Sequence, residues 1–105
     1  MAFRNGVPIA TCLMEAAAWR RTVRMACRCG HAALFHPHAL WWLYERKGWD
    51  GAFSLMRRRY VCSVCLALSG RRVRPTITAE GTEDPTVRLP LPPEREWKRA
   101  VSRFR

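Results

Sequence analysis

Apolar residues recur along this chain with a period that changes several times, and the changes mark out its elements. From Thr22 to Cys27 the run TVRMAC alternates, with Val23, Met25 and Cys27 on one side. Alternation places successive side chains on opposite faces of an extended backbone, so a short strand is predicted there. Over residues 37–47 (PHALWWLYERK) the period lengthens, and Leu40, Leu43 and Tyr44 with the flanking Trp41 and Trp42 make a broad apolar face. Pro37 suits a first helical turn, Arg46 and Lys47 suit the last one, and Gly48 suits a left-handed exit. Asp50 is placed to cap a second short helix over residues 51–59, with Phe53 and Met56 on one side and Arg57, Arg58 and Arg59 at its end. Residues 71–78 (RRVRPTIT) read as another strand.

The outer segments differ in kind. Residues 79–92 begin acidic, with Glu80, Glu83 and Asp84, continue into RLPLPP and show no apolar period. They read as an extended linker, proline holding the backbone away from helix. Residues 93–105 again look helical, with Trp97, Val101 and Phe104 spaced i, i+4, i+7 among basic residues. That stripe suits docking on the chain's own core, or else a protein partner, nucleic acid or a membrane surface. Residues 1–21 make an N-terminal arm with some helical character. Its apolar run is broken by Thr11 and Glu15 and followed, not preceded, by Arg20 and Arg21, which makes a poor secretion signal. The expected layout is an arm (1–21), a domain (22–78), a linker (79–92) and a basic amphipathic helix (93–105).

Size and charge sharpen this picture. A chain of 105 residues supports one domain near the small end of the range, where a disulfide, metal or partner often supplements the core. Five tryptophans exceed what so small a core hides easily, so one or two are expected on a contact surface, with Trp41, Trp42, Tyr44, Trp49 and Phe53 inside. The formal charge is +11, carried by 17 Arg and 2 Lys, and residues 20–74 alone hold twelve basic residues against Glu45 and Asp50. Such a chain attracts polyanions, and guanidinium forks suit phosphate, although a GC-rich genome also enriches arginine. No run approaches the roughly 20 apolar residues of a membrane span, and a cytoplasmic location is the default reading. Thiols are reduced there, so paired cysteines point to metal before disulfide.

Cysteine is where the chemistry concentrates. Cys27 and Cys29 lie in RMACRCGHAALFHPH, and Cys62 and Cys65 in YVCSVCLA. Two close pairs separated by a folded segment can deliver four ligands to one tetrahedral zinc ion. The two-residue gap of the second pair lets a tight turn aim both sulfurs at one metal, and Gly30 suits the turn after the tighter first pair. His31 is the alternate ligand, His36 is better placed to serve the start of the helix, and Cys12 has no partner. Arg24, Arg28 and Arg59 can offset the charge of about −2 that a zinc tetrathiolate carries. A thiol nucleophile or zinc-activated water is the enzymatic option, but no Glu accompanies His31 and no Pro precedes Cys62. One structural zinc ion on Cys27, Cys29, Cys62 and Cys65, and no enzyme, is the expectation.

The succession CRCGH, LYERKGWD, RRRYVCSVC and RRVRP resembles a group of short bacterial zinc-ribbon-like proteins of unassigned function. The resemblance covers about residues 24–76 and implies the same four cysteines as ligands, although Leu66 stands where those proteins usually carry glycine after the second pair. The expected fold is α+β: a small zinc-ribbon-like module in which a short two-stranded ribbon carries the cysteine pairs, two or three helices pack on it and flexible arms flank it. Three functions remain open. The first is a binding module for nucleic acid or a nucleoprotein assembly, using Arg57, Arg58, Arg71, Arg72 and Arg74. The others are a protein-interaction adaptor docking through residues 94–104 and a metal-free thiol protein.

Overall fold

The computed structural model of the chain describes residues 2–4 and 7–104. Two short strands, β1 (Ala2–Arg4) and β2 (Val7–Ile9), pair antiparallel at the start of the chain. The alternation at residues 22–27 becomes β3 (Thr22–Ala26), with Val23 and Met25 turned inward and Arg24 outward. β3 is the middle of a three-stranded antiparallel sheet, flanked by β4 (Ala32–Phe35) and β5 (Thr76–Gly81). The mixed α+β class is as expected, but the sheet has a strand more than the two-stranded ribbon. β4 is built from AALF, four half-buried residues without alternation, and this is why no strand was predicted there.

β5 starts later than the predicted strand. Pro75 has no N–H to donate to a ladder, and beyond it Ile77 and Ala79 alternate into the core at 8% and 3% exposure. The strand therefore runs into the stretch read as linker. The rest of that stretch is also held: Thr22 Oγ1 donates to the Glu83 carbonyl (2.6 Å), and the N–H groups of Thr86 and Val87 donate to the Leu34 carbonyl (2.9 and 3.0 Å).

The N-terminal segment is core, not a flexible arm. In α1 (Leu13–Ala18), Leu13, Ala16 and Ala17 are no more than 1% exposed, and the small alanines let α1 lie close against α2 (Pro37–Lys47). Cys12 precedes α1 and bridges to Ala52, while Leu13 N–H donates to the Gly51 carbonyl (2.9 Å) and Phe53 N–H to that of Thr11 (2.9 Å). Glu15 is buried; that alone would raise its pKa, but the Thr11 N–H and hydroxyl both donate to its carboxylate (2.9 Å each) and hold it below the ordinary value.

α2 has the predicted bounds: Pro37 opens it, His36 Nδ1 accepts from the His38 N–H (3.2 Å), and Gly48 closes it at φ +69°. The second helix is α3 (Phe53–Met56) continued by a 3-10 turn (Arg57–Arg59). Leu40, Met56 and Val23 complete the centre of the core with Leu13. Each tryptophan is at least partly covered, so the expected exposed tryptophan is not found. Among the described residues no helix is long and apolar enough to cross a membrane.

α5 (Glu94–Phe104) docks on the chain's own core through Trp97 and Ala100. Trp97 meets Trp41 edge-on (5.1 Å, 78°) and His38 likewise (4.4 Å, 72°), and Ala100 is buried; the side chain of Phe104 lies outside the described residues. This contact predicts a pH dependence. Burial holds His38 below its ordinary pKa, and the charges of His36 and Arg20 add to the effect. The unfolded chain therefore takes up this proton first, so stability is intact above about pH 6.5 and falls as acid carries the pH toward the lower folded-state pKa. Glu83 and Asp84 line the same groove as His38. The thermal midpoint should fall between about pH 7.5 and 5.5, and His38→Gln should flatten that fall. A midpoint that rises over this interval would contradict the assignment.

Candidate metal centre and arginine groove

The first cysteine pair sits in the turn between β3 and β4. Cys27 N–H donates to the His31 carbonyl (2.8 Å) and Gly30 N–H to that of Cys27 (3.0 Å), and Gly30 takes φ +98°, where a side chain would strain the backbone. The turn folds back tightly enough to put Cys27 and Cys29 on one target. The second pair is not on a ribbon. Cys62 occupies the N-cap position of α4 (Ser63–Ser69), where its Sγ accepts from the Cys65 N–H (3.5 Å) and Cys65 lies in the first turn. Leu66 after the second pair lets the chain continue as helix until Gly70.

These two supports bring four sulfurs together. The Sγ atoms of Cys27, Cys29, Cys62 and Cys65 all lie within 4.8 Å of one another, with Cys27–Cys65 at 3.5 Å and Cys29–Cys62 at 3.6 Å. A tetrahedron with metal–sulfur bonds of about 2.3 Å has sulfur–sulfur edges of about 3.8 Å, whereas a disulfide needs about 2.05 Å. The spacing fits one metal ion and not a pair of disulfides. The protons of the thiols are unevenly held: the Cys65 N–H draws Cys62 down to about 7, while bonding to Cys27 pushes Cys65 up to about 12. A divalent cation binding here displaces thiol protons, so its affinity rises with pH.

His31 is exposed and stands outside the group of four sulfurs; its main chain, not its imidazole, takes part in the turn. Cys12 is half-buried, and burial raises its pKa, as suits an unreactive thiol.

The predicted arginines separate into different roles. Arg59 was expected to offset thiolate charge, but its guanidinium stacks 3.9 Å from the centre of the Trp49 ring. Arg74 reaches back to the carbonyls of Arg57 (3.4 Å), Arg58 and Tyr60 (3.3 Å), and Arg57 Nε donates to that of Pro75 (3.1 Å). These two fasten the 3-10 turn to the start of β5 while staying exposed. Arg57, Arg72 and Arg74 also line an open groove of about 480 Å³, joined by Arg28 and with no acidic residue in its walls. Arg58 and Arg71 are exposed and lie outside this groove. Sequence reading assigned Arg28 only to charge compensation; its position between two sulfur donors was the signal that it shares their surface.

The chain matches no protein-family model, no curated protein and no solved structure.

Proposed function

We propose that the protein is a non-enzymatic, zinc-stabilised module of the cytoplasm that contacts nucleic acid through the arginine groove beside the metal centre. The observation that carries this reading is the continuity of the two sites: Arg28 stands between the donors Cys27 and Cys29 and lines the groove with Arg57, Arg72 and Arg74. Four thiolates favour zinc in a tetrahedral shell, and a reducing compartment keeps them available. A shell filled by four sulfurs leaves no coordination position for substrate, as in structural sites. The resemblance to short bacterial zinc-ribbon-like proteins supports the same ligand set.

Nucleic acid suits the groove because guanidinium groups take phosphate oxygens in pairs. No aromatic ring lines it, so contact to the backbone without base reading is the expected mode. The adaptor reading is disfavoured, since Trp97 and Ala100 of residues 94–104 are spent on the chain's own core. The metal-free thiol reading is disfavoured by the approach of all four sulfurs to within 4.8 Å of one another.

Elemental analysis of protein purified without added zinc should find one zinc ion per chain. His31→Ala should retain it, and Cys62→Ser should lose it. Binding to duplex DNA should weaken with salt at a log–log slope near −3.6 for about four phosphates, and Arg28→Ala with Arg72→Ala should reduce that slope by about 1.8. Arg57 is unsuitable for the test because of its bond to Pro75. No binding at low salt, or an unchanged slope in the double variant, defeats the nucleic-acid reading.

A further inference from the structure

The groove is not supported equally on all sides. The chain is anchored at residue 60, where Tyr60 and Tyr44 share a hydroxyl–hydroxyl bond of 2.5 Å, and at Pro75, which is buried. Between those anchors Cys62 is the one buried residue, and α4 exposes Leu66 at 42% and Leu68 at 83%. A seven-residue helix that buries no apolar face does not hold itself in water. What draws this segment against the sheet is the meeting of Cys62 and Cys65 with Cys27 and Cys29. The same segment carries one wall of the groove, for Cys62 N–H donates to the carbonyl of Val73 (2.7 Å), between Arg72 and Arg74. The opposite wall includes Arg28, fixed by the turn that holds the first pair.

From this we infer that the metal acts as a clasp on the groove, so that metal binding and phosphodiester binding are thermodynamically linked. This rests on the nucleic-acid reading above and adds its regulation. Metal binding holds the 61–73 wall, and with it Arg72, at a fixed separation from Arg28 and from the already fastened Arg57 and Arg74 before the ligand arrives, so the ligand need not order it. Metal loss leaves the arginines in the chain but scatters the wall, and the groove loses affinity although no charge has been removed from it. Reciprocity then requires a bound nucleic-acid backbone to tighten the metal by the same factor.

The test compares binding of a short labelled oligodeoxythymidine to the zinc-loaded full chain, the chelated chain and the chelated chain after zinc is restored. Near-UV circular dichroism of the tryptophans reports whether the core is intact in each. Affinity should fall at least about tenfold on chelation with the core signal retained, and should return with zinc. In the loaded protein, saturating oligodeoxythymidine should raise by the same factor the concentration of a chromophoric chelator needed to remove half the zinc. That second measurement decides the matter even where chelation disturbs the core. Equal affinity with and without zinc, or an unshifted chelator midpoint, overturns the clasp and leaves the nucleic-acid reading standing. Failure of the zinc-loaded protein to bind the oligonucleotide at low salt overturns both.

Discussion

Chelation of the metal, or Cys65→Ser, is expected to release residues 61–73, between the anchors at Tyr60 and at Arg74–Pro75, while the apolar core stays folded. A small domain held together by zinc alone would unfold throughout residues 22–76 when the ion is withdrawn. Here the most deeply buried side chains, Leu13, Leu40, Met56 and Val23, belong to a cluster that excludes all four metal-centre cysteines. Hydrogen exchange should therefore separate two zones. Amides of α4 and the following residues should lose nearly all protection, because a short exposed helix has no stability of its own. Amides of β3 and α2 should keep most of theirs. Added zinc at a thousand times its dissociation constant should restore about 4 kcal/mol to the stability of the released zone. Loss of protection in α2 to the same extent as in α4 would show that the metal and the core form one cooperative unit.

Leu13→Ala should be the most damaging single truncation near the N-terminus. Leu13 is 1% exposed in the buried cluster and lies against Gly51, so truncation leaves a cavity that no side chain at residue 51 can fill. The expected cost is about 2–5 kcal/mol, a large share of what a domain of this size has to lose. Leu68→Ala is the control: at 83% exposure it should move stability by less than about 0.5 kcal/mol. Urea denaturation of the two variants beside the parent decides it. A Leu13→Ala midpoint close to that of Leu68→Ala would mean that residues 10–18 do not belong to the cooperative core.

The legible elements were those with punctuation of their own. Pro37 and Gly48 bracket α2 as read from sequence, and the two cysteine pairs meet as their spacing suggested. What escaped was structure whose stability comes from elsewhere. β4 is apolar at every position and half-buried at all four, so no alternation betrays it. α1 is built on alanines whose value lies in the close approach they allow, a property visible only once α2 is beside them. The second cysteine pair looked like a turn because CxxC usually is one; its continuation through Leu66 and Leu68 made it the start of a helix. Arginine number was plain, but whether an arginine faces a phosphate or its own backbone depends on carbonyls that folding brings near, as at Arg74.

The docking of Trp97 on Trp41 bears on how the chain is made. The ribosome delivers α2 long before α5, and at about 5–20 residues per second the interval between the two tryptophans lasts from a few seconds to about ten. Within it α1 can settle on α2, but the ring of Trp41 lacks Trp97 until the end, and β3 lacks its β5 neighbour until residue 81 has been made. The nascent protein thus shows an aromatic surface and, for the first part of that interval, an open strand edge. Its completion is a late event in synthesis, and the interval before it is when a chaperone would be of most use.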